Sequence, residues 1–313
     1  MSGSLPEPLN VAFLGCGAIT AAHSATLRRV DPSVRRFYAS RDRARAAAYE
    51  RRLAGAGSYG SYEAALVDGL IDVVVIATPP ALHVPLALEA LRHDKHVIVE
   101  KPVALRSSDC SLLLDAAAEA GRHVLVAENY RYKPLTRTLR SIVDSGAIGE
   151  LRLVQLNVLK RQEPNGWRAD DGALFEGGVH WVHLLGSICP VRGVRGFRAG
   201  TAAGPERTTV VVAEYENGAV GTLAHSWETH SLLRGLALSR VYGSAGSIAF
   251  ETNGLLTIAW GRRKQVVPFL RRDIGGYRAM FADFLSVIRD GGEPRMTLAQ
   301  ARRDLELVEE AYR

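Results

Sequence analysis

Apolar positions follow two different rhythms along the chain. Up to residue 127, short apolar runs alternate with amphipathic stretches. The runs at 10–14, 34–39, 72–78, 96–100 and 123–127 predict strands. The stretches at 19–30, 41–53, 62–67, 83–92 and 107–120 carry apolar residues at helical spacing. Asp72 is followed by Val73, Val74, Val75, Ile76 and Ala77 without polar alternation, the pattern of a strand covered on both faces. Strand–helix alternation at this spacing predicts parallel βαβ units in a doubly wound α/β sheet, the Rossmann architecture.

Beyond residue 127 the rhythm changes. A helix at 133–144 ends near Gly146, and period-two segments follow at 151–159, 208–216 and 219–228. Asn217-Gly218 joins the last two and is a strong hairpin signal, because both residues tolerate the positive φ of a tight two-residue turn. Segments at 236–242, 247–251 and 255–260 continue the meander, and helices are expected at 172–188, 277–289 and 298–312. The pattern predicts an α+β domain on a large antiparallel sheet, with residues 1–127 as the first domain and 128–313 as the second. The sequence has no internal repeat and no low-complexity linker.

Composition narrows the partners. The 313 residues exceed one average domain, and 47% hydrophobic with 23% charged residues suits a protein with a buried core. Apolar stretches are only strand-length, so no membrane partner is expected. Residues 1–10 are polar, hold two prolines and lack an apolar signal core, which predicts a cytoplasmic protein. Cys16, Cys110 and Cys189 have no metal-type spacing and read as reduced thiols. The net charge of +6 suits a polyanionic ligand such as a phosphorylated cofactor. The arginines are scattered through helices without a basic, aromatic-interleaved run, so no nucleic-acid partner is expected.

Chemistry first appears at the end of the first strand, in Gly15-Cys16-Gly17-Ala18-Ile19-Thr20. Gly15 permits the turn, and Gly17 lets a pyrophosphate approach the amides that open the next helix. Thr20 stands where the pattern has its third glycine. The second strand ends Ala39-Ser40-Arg41-Asp42, where NAD sites place a carboxylate for the ribose 2′-hydroxyl. A hydroxyl followed by a guanidinium suits a 2′-phosphate instead, which predicts NADP(H), with Asp42 one residue late and read as a helix cap. The alternative is Asp42 on the ribose and NAD(H) as cofactor.

Thr78-Pro79-Pro80-Ala81-Leu82-His83 and Glu100-Lys101-Pro102 follow the next strands, and Asn129-Tyr130-Arg131-Tyr132, Trp167-Arg168 and Gly172-Ala173-Leu174-Phe175-Glu176-Gly177-Gly178-Val179-His180 come after them. With the glycine loop and the helix bearing Tyr277, Phe284 and Ile288, this ordered set resembles the glucose-fructose oxidoreductase/inositol dehydrogenase/rhizopine-catabolism (Gfo/Idh/MocA) family over essentially the whole chain. The resemblance implies an NAD(P)-dependent oxidoreductase: a Rossmann domain plus an open, mostly antiparallel sheet that serves as a homodimer or homotetramer interface. It implies hydride transfer between nicotinamide C4 and a carbinol or carbonyl carbon of a sugar, nucleotide sugar, cyclitol or related small molecule. It places Thr78, Pro79, Pro80, His83 and Asn129 along the cofactor, Glu100 and Lys101 near the nicotinamide ribose, and Trp167 and Arg168 on the cofactor from the second domain. Two other activities occur among relatives of this kind, a redox-assisted glycosidase with tightly held NAD and a non-catalytic nicotinamide-sensing regulator. Retention of Lys101 and His180 argues against the regulator, and Ser40-Arg41 against the glycosidase.

Hydride transfer to a carbonyl needs a proton donor at oxygen. Lys101 follows a parallel strand at its C-terminal end, where such folds bind ligands, and is the expected acid. Glu176 and His180 lie four apart on a helical stretch and share a face, which makes His180 an acid/base or substrate hydrogen-bonder and Glu176 its partner. The family pattern has an aspartate at the position of Glu176 and another at the position of His183. Glu176, His180 and His183 form one helical stripe, but three ligands from one helix converge poorly on an ion, so no metal is expected. His183 is expected to pack beside the carboxylate or line the substrate site.

Overall fold

The computed structural model describes residues 8–163, 170–199, 204–230, 236–262, 264–269 and 273–313. The chain forms two compact units, Met1–Glu128 with Tyr277–Arg302, and Asn129–Gly276 with Arg303–Arg313.

The first unit is built on six parallel strands: β1 (Asn10–Leu14), β2 (Arg35–Ala39), β3 (Gly57–Tyr59), β4 (Val73–Ile76), β5 (His96–Glu100) and β6 (Val124–Ala127). Their order, β3-β2-β1-β4-β5-β6, reverses direction between β1 and β4, the switch point at which doubly wound sheets take ligands. The crossovers are helices α1 (Ala18–Val30), α2 (Arg43–Leu53), α3 (Tyr62–Val67), α4 (His83–Arg92) and α5 (Asp109–Ala120). Every residue of β1 and β4 is buried, as their unbroken apolar runs require of strands covered on both faces. The three residues of β3 are too few to show a period, which is why the sequence pattern passes over them.

The second unit holds eight strands: β7 (Leu151–Leu159), β8 (Val191–Ala199), β9 (Thr208–Tyr215), β10 (Val220–Ser226), β11 (Leu238–Gly243), β12 (Gly246–Glu251), β13 (Leu256–Trp260) and β14 (Gln265–Pro268). They run in the order β14-β13-β12-β11-β7-β10-β9-β8, all antiparallel except the parallel pair β7 and β10. The hairpin at Asn217-Gly218 is present, with Gly218 at φ 80°. Alternation in β9 buries Val211, Ala213 and Tyr215 and exposes Val210 and Glu214. The buried face packs against α6 (Pro134–Asp144) and α7 (Val179–Ile188) in a core that includes Leu139, Leu184, Leu185, Leu223 and Val241. β8 and β14 were not apparent in the pattern. Val191, Val194 and Phe197 in β8 are three apart, a helix-like spacing imposed by glycines. A Cβ on Gly196 would lie 1.9 Å from the Ala311 carbonyl, so a close backbone approach demands the glycine.

Two helical expectations change. The segment predicted as one helix over 172–188 begins as a π-helical turn, Leu174–Gly178, before α7. Helix α8 (Tyr277–Asp290) packs on α1 in the first unit, whereas the linear division at residue 127 assigns it to the second. Its apolar stripe, Met280, Phe281, Phe284 and Leu285, is buried there, and Arg289 pairs with Asp31 after α1 at 2.5 Å. The last helix is α9 (Leu298–Ala311). No described helix is long and apolar enough to cross a membrane.

Candidate active site

In the first unit the glycine loop is held from below and open above. Gly15 has φ 107°, and a Cβ on it would lie 2.5 Å from the Ala77 carbonyl. Its amide donates to the Ala39 carbonyl at 3.0 Å, which ties the loop to β2. Thr20, at the place of the third glycine, is buried and donates its hydroxyl to the Gly15 carbonyl at 2.8 Å, so it closes the loop with a side chain. A Cβ on Gly17 would meet nothing within 4 Å, and α1 begins without a side-chain cap. The first amides of α1, from Ala18 and Ile19, therefore present the positive end of a helix dipole at an open approach.

At the end of β2 the Asp42 carboxylate caps α2, accepting from the amides of Ala44 at 2.9 Å and Arg45 at 3.1 Å. The buried Ser40 hydroxyl accepts the Asp42 amide at 3.1 Å and keeps its own proton to donate. Arg41 is exposed beside Tyr62, whose hydroxyl is pushed up by burial against the pull of Arg41. Arg45 and Arg52 act on neighbouring Cys16, where burial still dominates and raises the thiol to about 11, too high for a thiolate at neutral pH. Arg45 acts on both Tyr62 and Cys16, while the Asp42 carboxylate is engaged as the cap of α2.

The loop after β4 carries Thr78, Pro79 and Pro80, with Pro80–Leu82 forming a single 3-10 turn that feeds α4. The Thr78 hydroxyl is buried with no hydrogen-bond partner among the described residues. His83 is buried, with Nε2 2.9 Å from the Thr78 carbonyl and Nδ1 2.8 Å from the Pro102 carbonyl. Burial lowers its pKa, and a neutral ring donates to only one of the two carbonyls at a time. His83 is thus a brace tying the loop after β4 to the turn that follows Lys101.

Glu100, at the end of β5, bonds to Nε2 of His23 on α1. Burial alone would raise the Glu100 carboxyl, but the His23 bond and the charges of His23 and Lys101 hold it below its ordinary value. It also accepts the Lys101 amide at 3.2 Å. His23 is fully buried, and the rings of Tyr277 and Phe281 meet it edge-on at 5.5 and 5.2 Å. No motif marks His23; only its place on the buried face of α1 hints at a role.

In the second unit Asn129 is buried and its side-chain amide donates to the Gly275 carbonyl at 2.7 Å, so its described contact is to backbone. The half-buried His180 ring stacks on Tyr130, with centroids 4.5 Å apart and planes at 15°. Tyr130 is in turn held by Trp181 at 4.8 Å, edge to face, and by the Lys133 ammonium 3.9 Å over its ring. Glu176 is buried in the π-helical turn. The Asp171 carboxyl lies above its usual range because of burial first, then the charges of Asp170 and Glu176. His225 on β10 is also buried and near His180; burial and the His180 charge lower it to about 4, and its Nδ1 has no partner among the described residues.

His183 bonds to Asp304 of α9 at 2.8 Å and to Ser187 at 3.2 Å, both ring nitrogens facing protein partners. It thus packs against a carboxylate, but that of Asp304, which sequence spacing could not reveal. No group of three metal-type ligands occurs among the described residues. Trp167 and Arg168 lie outside the described residues.

Comparison with known proteins fits these two halves. Residues 9–128 match the model of an oxidoreductase family with an NAD-binding Rossmann fold, and residues 136–249 match the GFO/IDH/MocA C-terminal domain. The chain belongs to the Gfo/Idh/MocA oxidoreductase family. It is 34% identical over 230 residues to dTDP-3,4-didehydro-2,6-dideoxy-alpha-D-glucose 3-reductase of Streptomyces violaceoruber, covering 68% of this chain and 63% of that one. It is 31% identical over 204 residues to D-xylose 1-dehydrogenase (NADP(+)) 2 of Haloferax volcanii, covering 61% of each. Each of these matches spans under two thirds of the relative's length. Levoglucosan dehydrogenase in complex with NADH and levoglucosan has the same fold, with TM-score 0.86, 23% identity and 97% of both chains covered. The first unit is the family's NAD-binding domain, and its residues fit a dinucleotide: an open helix N-terminus, a glycine that excludes a Cβ, and an orphaned Thr78 hydroxyl.

Proposed function

We propose that this chain is an NADP(H)-dependent oxidoreductase acting on a carbinol or carbonyl carbon of a hydroxyl-rich small molecule, a sugar, nucleotide sugar or cyclitol. The observation that carries the cofactor preference is the end of β2, where Asp42 caps α2, the Ser40 hydroxyl accepts the Asp42 amide and Arg41 is exposed beside Tyr62. The two named relatives, acting on a nucleotide sugar and on xylose, support the substrate class.

Gly15 and Gly17 admit the pyrophosphate to the amides of Ala18 and Ile19, and Ser40 and Arg41 bind the 2′-phosphate. Thr78 and the turn that His83 braces line the dinucleotide. When bound, the nicotinamide supplies or accepts the hydride. The Lys101 ammonium donates a proton to the carbonyl oxygen in reduction, and its neutral amine takes the hydroxyl proton in oxidation. Glu100 bonds to His23 and accepts the Lys101 amide, so it fixes the turn that carries the lysine. His180, kept in plane by Tyr130, hydrogen-bonds the substrate oxygen or shares the proton transfer, with Glu176 as its carboxylate partner. The outer face of the second unit's sheet exposes Phe197, Val210, Val220, Leu238, Ile258 and Trp260, an apolar surface suited to a homodimer or homotetramer interface.

Lys101→Ala tests the chemical assignment. NADPH oxidation followed by absorbance at saturating NADPH, over a panel of sugar-derived ketones, should show kcat lower by ~10²–10⁴. Turnover at the wild-type rate would remove Lys101 as proton donor.

A further inference from the structure

The start of the segment that carries Glu176 and His180 is capped from two distant parts of the chain. The first amides of a helix have no partners of their own and take them from elsewhere. Here the Ala173 amide donates to the Glu206 backbone carbonyl at 2.9 Å. The Leu174 amide donates to Oε1 of the Glu206 carboxylate, also at 2.9 Å. The Phe175 amide donates to the Tyr312 hydroxyl at 3.2 Å. That hydroxyl in turn donates to Glu206 Oε1 at 2.8 Å, so one carboxylate oxygen and one phenol form a closed bracket. Burial first, then the Glu206 charge, pushes the Tyr312 hydroxyl upward and keeps its proton in place to donate.

The bracket is built into its surroundings. A Cβ on Gly172 would lie 2.0 Å from the Glu206 carboxylate, so this glycine is what lets the acid close over the turn. The neighbouring Arg207 donates to the Asp171 carbonyl at 3.1 Å, and its own carbonyl accepts the Trp227 amide at 2.8 Å. Arg207 therefore holds the chain immediately after Glu206 by side chain and backbone. The capped residues form the π-helical turn Leu174–Gly178, wound wider than the α-helix it leads into. Where Glu176 stands relative to His180 depends on that winding, because relaxation to α-helical bonds would rotate the residues before α7.

We propose that Glu206 and Tyr312 are positioning residues that hold the Glu176–His180 segment in its π-helical register and so set the placement of His180 against Tyr130. Neither touches the reacting atoms. They act through three consecutive amides. The inference rests on the reading of His180 as a site residue, but its test does not use turnover. Failure of that reading would appear as wild-type turnover in His180→Ala, a separate measurement.

The test combines amide hydrogen exchange with NMR of the His180 imidazole, whose protons are shifted by the ring stacked 4.5 Å away. Wild type is compared with Tyr312→Phe, Glu206→Ala and Glu206→Gln, the last keeping an acceptor oxygen. The amides of Leu174 and Phe175 should exchange about tenfold faster or more in Tyr312→Phe and Glu206→Ala. In the same two variants the His180 resonances should move toward unstacked positions, and Glu206→Gln should restore both readouts. Faster exchange with unmoved His180 resonances would reduce the bracket to an ordinary cap and overturn the proposal. Unchanged exchange in both variants would overturn it as well.

Discussion

Two buried histidines, His96 on β5 and His225 on β10, are each lowered to about 4 with burial as the main cause. The unfolded chain binds a proton at each near pH 6.5, while the folded chain refuses it until about pH 4. Their contribution is therefore fully present above pH 6.5 and is lost as pH falls through the window down to about 4. For His225, 2% exposed, the loss is on the order of 3 kcal/mol. Thermal unfolding followed from pH 7 to 4 should show Tm falling through this window, and His225→Gln should flatten the fall. An equal fall in the variant would assign the acid sensitivity to other groups. At this scale the sequence was readable wherever chemistry and position coincide locally. The turn at Gly15, the open approach at Gly17 and the cap at Asp42 each needed only neighbours in sequence. His23 with Glu100, and Glu206 with Tyr312, pair residues 77 and 106 positions apart, and nothing local connects them.

Helix α7 takes its orientation from both ends. At its start the π-helical turn is capped by Glu206 and Tyr312, and within it His183 reaches across to Asp304 of α9. Asp304 is 8% exposed, so its bond to His183 is made largely away from water. His183→Leu should cost about 1–3 kcal/mol of stability, read as a lower denaturation midpoint in urea. A loss under about 1 kcal/mol would mean that Asp304 finds water or another donor. The period of the apolar pattern gave most elements correctly, since buried faces repeat at 2 or 3.6 residues. It failed where the physics is not periodic: three-residue β3, glycine-spaced β8, short β14, and the π-helical turn, whose widened winding leaves a helical pattern almost unchanged.

The division of the whole chain is less linear than the sequence suggests. The strands up to Ala127 and the later strands announce two different sheets, but α8 returns to the first unit, and only its packing on α1 reveals this. The exposed apolar face of the second sheet is where assembly should be tested. Trp260, 63% exposed on β13, is central to that test. Light scattering on a sizing column should find a dimer or tetramer for the wild type and a smaller species for Trp260→Glu. A monomeric wild type would contradict the interface. The central claim, a Gfo/Idh/MocA oxidoreductase that selects NADP(H), meets its most direct test in equilibrium binding of NADPH and NADH by tryptophan fluorescence. The account predicts tighter binding of NADPH, and an Arg41→Ala variant that loses about 10–100-fold in NADPH affinity while NADH is unaffected. Tighter binding of NADH by the wild type would contradict it.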